Sequence, residues 1–141
     1  MVEKPLSRIR KFVVGDIDKI LEIEEQAFPK TSYTKETFLN YANRLPDSFI
    51  VVESGKDIVG YIIFDMSGHV HSTAVKTGYR KKGFGKKLFA HASMRVEKRL
   101  WLEVRSKNSA AIEFYKRMGM KIISTIPGYY GNDDALILVL P

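Results

Sequence analysis

The chain has 141 residues, 45% hydrophobic and 28% charged, with a formal net charge of +7 and no cysteine. That length fits one domain, residues 1–141, able to bury a core without covalent staples, and the lack of cysteine excludes disulfides, thiolate metal sites and a cysteine nucleophile. No stretch is apolar for long enough to span a bilayer and Met1 to Lys11 carry no secretory pattern, so a cytoplasmic protein with no membrane partner is expected, its charge favouring an anionic partner.

Taken in chain order, the sequence switches between two periods. SRIRKFVV alternates basic and apolar residues as a half-buried strand does, with its end predicted at Gly15. Asp16 is placed to cap a helix whose Ile17, Ile20, Leu21, Glu24 and Phe28 share one face, of which only Glu24 is polar. Pro29 stops that helix, and Thr34 starts a short second one through Tyr41. The runs SFIVVES and IVGYIIFD, separated by the turn GKD, form the strongest hairpin signal, and GHVHSTAVK follows as a third strand. Phe84, Leu88, Phe89, Ala92 and Val96 make a helical stripe. LWLEV is then a short strand, and NSAAIEFYKRMG a helix with Asn108 at its N-cap and Gly119 just past its end. KIIST and DALILVL close the chain as strands, joined by IPGYYGND. This order, without internal repeat or linker, argues for a mixed α/β fold.

One stretch departs from ordinary patterning. YRKKGFGKKLF, Tyr79 to Phe89, sets five Lys or Arg residues and two glycines between a strand and a helix. There, free backbone N–H groups and the positive end of the helix dipole meet an anion. Gly83 and Gly85 are expected to let a ligand approach the backbone closely. The stretch lacks the Gly-Lys-Ser/Thr ending of a phosphate-binding Walker loop and is not a dinucleotide G-x-G-x-x-G. On spacing alone it is equally an ordinary basic helix start.

In context the stretch is more specific. GHVHSTAVKTGYRKKGFGKKLF resembles the acetyl-coenzyme A binding segment of the GNAT-fold N-acetyltransferases, through Arg80-Lys81-Lys82-Gly83-Phe84-Gly85. LWLEVRSKNSAAIEFYKRMGMK is similar to the family's Leu-Glu-Val-Arg signature with its later Asn, Ala, Tyr and Gly, and YYGNDDALIL to its Tyr-Tyr and Asp-Ala ending. The three segments occur in the family's order over nearly the whole chain, nearest to the RimI-like enzymes and the archaeal N-terminal acetyltransferases. The resemblance implies the GNAT fold, a central mostly antiparallel sheet flanked by helices.

It also implies roles. Backbone groups of Thr73, Ala74 and Val75 would pair with the pantetheine arm, and amides from Lys81, Lys82, Gly83, Phe84, Gly85 and Lys86 would hold the pyrophosphate. Asn108 and Tyr115 would also touch the coenzyme. Strand alternation puts Trp101, Glu103 and Arg105 on one face and Leu100, Leu102 and Val104 on the other, which leaves Glu103 a solvated edge charge or a general base. The matching family residue is the base. Tyr115 shares its helix with Ile112 and Met118, as a core residue does, yet its family counterpart protonates the leaving thiolate. Without a cysteine the acetyl-thioenzyme route is closed, which leaves direct attack of an amine in a ternary complex, with a backbone N–H near Val75 as oxyanion donor.

Phe28, Tyr33, Tyr129 and Tyr130 lie in segments similar to the family's two substrate loops, although the tryptophan often found near Tyr33 is missing. Glu24 and Glu25 lie where some relatives keep a supporting acidic residue, against the alternative of solvated helix glutamates. His69 is expected within reach of Glu103, and no required metal is expected. The function implied is acetylation of protein N-termini by acetyl-coenzyme A, on ribosomal or other nascent proteins. The alternatives are a lysine or small-amine acetyltransferase, a coenzyme A-binding protein without catalysis and a nucleic-acid-binding module.

Overall fold

Strand pairing follows the period-two runs of the sequence. In the computed structural model, which describes residues 6–141, β1 (Ser7–Lys11), β2 (Phe49–Ser54), β3 (Asp57–Phe64) and β4 (Val70–Val75) form an antiparallel sheet in that spatial order. A second antiparallel sheet is ordered β5 (Trp101–Arg105), β7 (Ala135–Val139), β6 (Lys121–Ile126). The helices are α1 (Ile17–Ala27), α2 (Lys35–Arg44), α3 (Phe84–Arg95) and α4 (Ser109–Arg117). None of the described helices is long and apolar enough to cross a membrane.

Alternation along β2 and β3 sends neighbouring side chains into two cores. Ile50, Val52, Ile62 and Phe64 pack with Leu88, Phe89 and Ala92 of α3 and with Leu100, Leu102, Val104 and Leu138. Phe49, Val51, Tyr61 and Ile63 pack with Ile17, Ile20, Ile23 and Phe38 from α1 and α2. Full burial of each large apolar side chain is worth about 1.5–3 kcal/mol, so both layers are held firmly against the sheet. With Leu102 and Val104 committed to the α3 side, alternation turns Glu103 to the opposite face.

The two sheets are joined by very little. His69 and Trp101 form an isolated parallel bridge between the stretch before β4 and the start of β5, and the Trp101 N–H donates to the Gly68 carbonyl at 2.9 Å. Beyond that bridge β4 and β5 share no ladder. The single central sheet of the sequence reading is thus a sheet opened along one seam.

Three local expectations are corrected. The first strand ends at Lys11, and Val13 and Val14 are exposed because a 3-10 turn (Val14–Asp16) follows. Buried Asp16 causes it: its carboxylate accepts from the Val13 N–H at 2.9 Å and from the Arg10 guanidinium at 2.8 and 2.9 Å, bending the chain out of the extended form. The same bonds leave Asp16 at the N-cap position of α1 with no side-chain bond to the helix. The second helix runs to Arg44, past Tyr41, since Tyr41, Ala42 and Leu45 pack on the α1 core. Thr34 does cap it, accepting from the Thr37 N–H at 3.2 Å.

Candidate active site

The seam between β4 and β5 supplies an unpaired strand edge. The Lys76 N–H donates to the Val59 carbonyl at 2.7 Å, and with Tyr61 opposite Ala74 the antiparallel alternation turns Ala74 toward β3 and the amides of Thr73 and Val75 toward the gap. Thr73 itself is buried, its hydroxyl donating to the Tyr61 carbonyl at 2.9 Å. Of the three residues expected to pair through their backbone, two face the gap, while Ala74 lines it.

Two cavities meet there. The first, about 380 Å3, is lined by Phe28, Thr73, Ala74, Val75, Arg80, Lys81, Asn108 and Tyr115 with further α4 residues. The second, about 390 Å3, is lined by Glu24, Tyr33, His71, Ser72, Glu103, Arg105, Tyr129 and Tyr130. Phe28, Thr73, Asn108, Ala111 and Tyr115 belong to both. Asn108 is fixed by its own cap, its side-chain oxygen accepting from the Ala111 N–H at 3.1 Å.

The basic turn closes one end of the first cavity through Arg80 and Lys81. The Arg80 Nε donates to the Val75 carbonyl at 3.2 Å, tying the turn to β4. Lys81 and Gly83 have φ of 60° and 89°. Left-handed backbone is costly for lysine and free for glycine, and such reversals point successive N–H groups into one concavity. The first helical bond of α3 runs from the Lys87 N–H to the Gly83 carbonyl at 3.1 Å, so helix geometry leaves the amides of Phe84, Gly85 and Lys86 free. An anion fits this set.

The two glycines differ in their surroundings. A side chain on Gly83 would meet nothing within 4 Å, which leaves open space for a ligand, and its positive φ favours glycine in addition. Gly85 is buried, and a Cβ there would lie 2.9 Å from Met118 Sδ and 3.2 Å from Phe114 Cζ. Its small size lets α3 sit against α4. Lys82, Gly83, Phe84, Gly85 and Lys86 line neither cavity: the Lys82 ammonium lies 5.7 Å above the Tyr79 ring, and Phe84 packs on the core.

In the second cavity Glu103 stands 3.0 Å from His69 Nε2 through both carboxylate oxygens. The hydrogen bond to Glu103 raises the His69 pKa above the usual imidazole value, against the opposing effect of burial. The Tyr115 hydroxyl is pushed up by burial first and by the Glu103 charge second. Tyr129 and Tyr130 meet edge-on at 4.9 Å, and the Arg105 guanidinium lies 4.3 Å above the Tyr130 ring. Their loop is anchored by Asp133, which accepts from the Ser106 hydroxyl and the Lys107 N–H. All four aromatic residues expected near an acceptor therefore reach this cavity.

Sequence reasoning undervalued Glu24. It is only 2% exposed, accepts from the Tyr33 N–H at 2.9 Å and from the Tyr61 hydroxyl, and burial raises its pKa. Tyr61 in turn shares a hydrogen bond of 2.8 Å with Ser72. Glu25, by contrast, is exposed. The available signal was Glu24's place as the one polar residue on an apolar helical face.

The family model described as Acetyltransferase (GNAT) family matches residues 17–120, and the chain belongs to that family as an acetyl-CoA-dependent acyltransferase. Among proteins, it is 36% identical to an uncharacterized N-acetyltransferase of Methanocaldococcus jannaschii, over 94% of this chain and 89% of that one. It is 32% identical to an N-alpha-acetyltransferase of Sulfurisphaera tokodaii, covering 95% and 92% of the two chains. Among solved structures, Ard1 from Thermoplasma volcanium superposes with a TM-score of 0.75 at 25% identity, covering 96% of this chain and 98% of that chain.

Proposed function

We propose that this protein, residues 1–141 acting as one domain, transfers the acetyl group of acetyl-coenzyme A to the α-amine of a protein N-terminus. The observation that carries the reading is the pair of cavities sharing the Tyr115 wall, one reaching the basic turn and the other holding Glu103 among tyrosines. The N-alpha-acetyltransferase of Sulfurisphaera tokodaii supports the acceptor class. Acetyl-coenzyme A supplies an activated thioester, and the residues of the first cavity suit its parts. The amides of Thr73 and Val75 offer an edge for an extended polar arm, and the turn from Arg80 to Lys86 offers N–H groups and positive charge for phosphates. Asn108 adds an amide side chain beside them.

In this reading the chemistry falls to three groups. Glu103 accepts the proton of the incoming amine, directly or through water, as its nitrogen attacks the thioester carbonyl. A backbone N–H near Val75 that the extended arm leaves free donates to the oxygen that gains charge. As the carbon–sulfur bond breaks, Tyr115 donates a hydrogen bond to the departing thiolate. Its raised pKa makes it a stabiliser of that charge more than a source of a fully transferred proton, which refines the role implied by resemblance. Phe28, Tyr33, Tyr129 and Tyr130 surround the acceptor, and buried Glu24 holds Tyr33 in place.

An α-amine has a reference pKa near ~8 and a lysine amine near ~10.4, so at neutral pH free nucleophile is roughly 300 times scarcer on lysine, a gap that a lone carboxylate base does not close. The test compares kcat/KM at pH 7.5 for a peptide with a free N-terminus and no lysine against an N-terminally blocked peptide containing lysine. Efficiency at least 10²-fold higher on the free N-terminus is expected, and equal efficiency on the blocked peptide refutes the assignment.

A further inference from the structure

Beside the proposed base lies a second constellation that the transfer reaction does not use. Asp65 follows the end of β3, His71 lies in β4, and His69 forms the bridge to β5. Two positions apart on extended chain, the imidazoles share a face, with ring centroids 4.4 Å apart. The Asp65 N–H donates to the His69 carbonyl at 3.0 Å, which closes the hairpin and brings the carboxylate to 2.7 Å from His71 Nε2. Trp101 stacks on His69 at 4.2 Å and holds that ring in plane. One donor atom from each of Asp65, His69 and His71 lies within 4.8 Å of the other two.

We propose that these three residues bind a divalent transition-metal ion of the Zn2+ class, and that its occupation inhibits the enzyme. Two imidazoles and a carboxylate are borderline donors suited to Zn2+ and Co2+ more than to Mg2+ or Ca2+. A tetrahedral site with bonds of about 2.0–2.1 Å needs donors roughly 3.3 Å apart, so small side-chain rotations close the set. The side chains keep 21% to 29% of their surface exposed, which gives an ion a path from solvent. Inhibition follows from the His69–Glu103 contact. An ion on the far ring nitrogen of His69 fixes the other as an N–H donor and adds positive charge beside Glu103, which lowers its basicity, and an ion on the nitrogen facing Glu103 recruits the carboxylate as a fourth ligand. Either way Glu103 becomes a poorer proton acceptor. This last step rests on the reading of Glu103 given above, whereas ion binding does not.

The experiment separates the two. Chelator-treated protein is titrated with Co2+ at pH 7.5, and acetylation of a free-N-terminus peptide is followed against free Zn2+. Saturable visible bands of tetrahedral Co2+ at one ion per chain are expected, with reversal by chelator. Asp65→Ala should weaken Co2+ binding at least 10-fold and raise the Zn2+ concentration for half-inhibition by the same factor. Asp65→Asn, which keeps the turn's shape, serves if the alanine variant does not fold, and should also weaken binding. No saturable spectrum, or affinity unchanged in a folded Asp65 variant, overturns the site. Normal Co2+ binding with Zn2+ leaving turnover untouched overturns the inhibitory role alone, and failure to acetylate any peptide while Co2+ still binds refutes the transferase reading instead.

Discussion

Replacing Tyr115 by phenylalanine removes one oxygen and little else. The ring keeps its edge-on contact with Phe114 at 5.5 Å and its approach to Phe89 at 6.4 Å. No partner among the described residues takes the hydroxyl, which faces the shared wall of both cavities. Thermal stability should therefore change by less than about 0.5 kcal/mol, the range of substitutions that disturb no packing or internal bond. Catalysis should not be spared. A hydrogen bond to a charged group is worth roughly 1.5–3 kcal/mol, and at 1.36 kcal/mol per decade its loss at the departing thiolate slows the chemical step by about 10- to 150-fold. Single-turnover acetylation under saturating acetyl-coenzyme A measures that step directly, with calorimetric titration for cofactor affinity and a melting curve as controls. Chemistry within threefold of wild type in a normally folded Tyr115→Phe protein refutes the assignment, and a large fall in melting temperature shows that the hydroxyl is structural after all.

Glu103→Gln keeps shape and hydrogen bonding while removing the proton acceptor, so kcat should fall by roughly 10²-fold or more with little change in cofactor affinity; steady-state rates across pH 6–9 check this. Gly83→Val and Gly85→Val should fail differently: the first perturbs a left-handed turn in open space and weakens acetyl-coenzyme A binding, whereas the second collides with Met118 and Phe114 and destabilises the fold by about 1–3 kcal/mol. Titration calorimetry and denaturant melts separate the two. Burial alone would raise the Asp16 carboxyl, but Arg10 and the Val13 N–H overrule it and hold the pKa below the usual range. Its stabilising contribution is full above the unfolded value near ~3.9 and is lost as pH falls through the lower folded value, so Asp16→Asn should flatten the stability curve below about pH 4. Urea melts across that window read the slope.

Element order was legible because each element carries its own period, down to the Asn108 and Thr34 caps, where short polar side chains precede apolar helical stripes. The phosphate-type turn and Glu103 were legible as candidates because charge, glycine and alternation are local properties. What escaped depends on distance in sequence. Asp16 bends the chain through Arg10, and Glu24 is buried because Tyr61, 37 residues away, meets it. Gly85 looked like a ligand-facing glycine until Met118, on the far side of β5, came to rest against it. The seam itself has no local signature: β4 and β5 are both ordinary strand sequences, and only the single His69–Trp101 bridge reveals that they part.

That seam leaves one strand edge of the protein unpaired, the edge proposed above to receive the coenzyme's extended arm. In the free protein the amides of Thr73 and Val75 pair with no strand, and their hydrogens should exchange with solvent faster than that of Ala74, which is bonded within the ladder. A ligand that lies along the edge converts them to slow exchangers and raises the melting temperature with its concentration, since it binds the folded chain and not the unfolded one. The enzyme should accordingly be most cohesive when loaded and loosest between turnovers, with the change centred on the one strand edge where its two halves part.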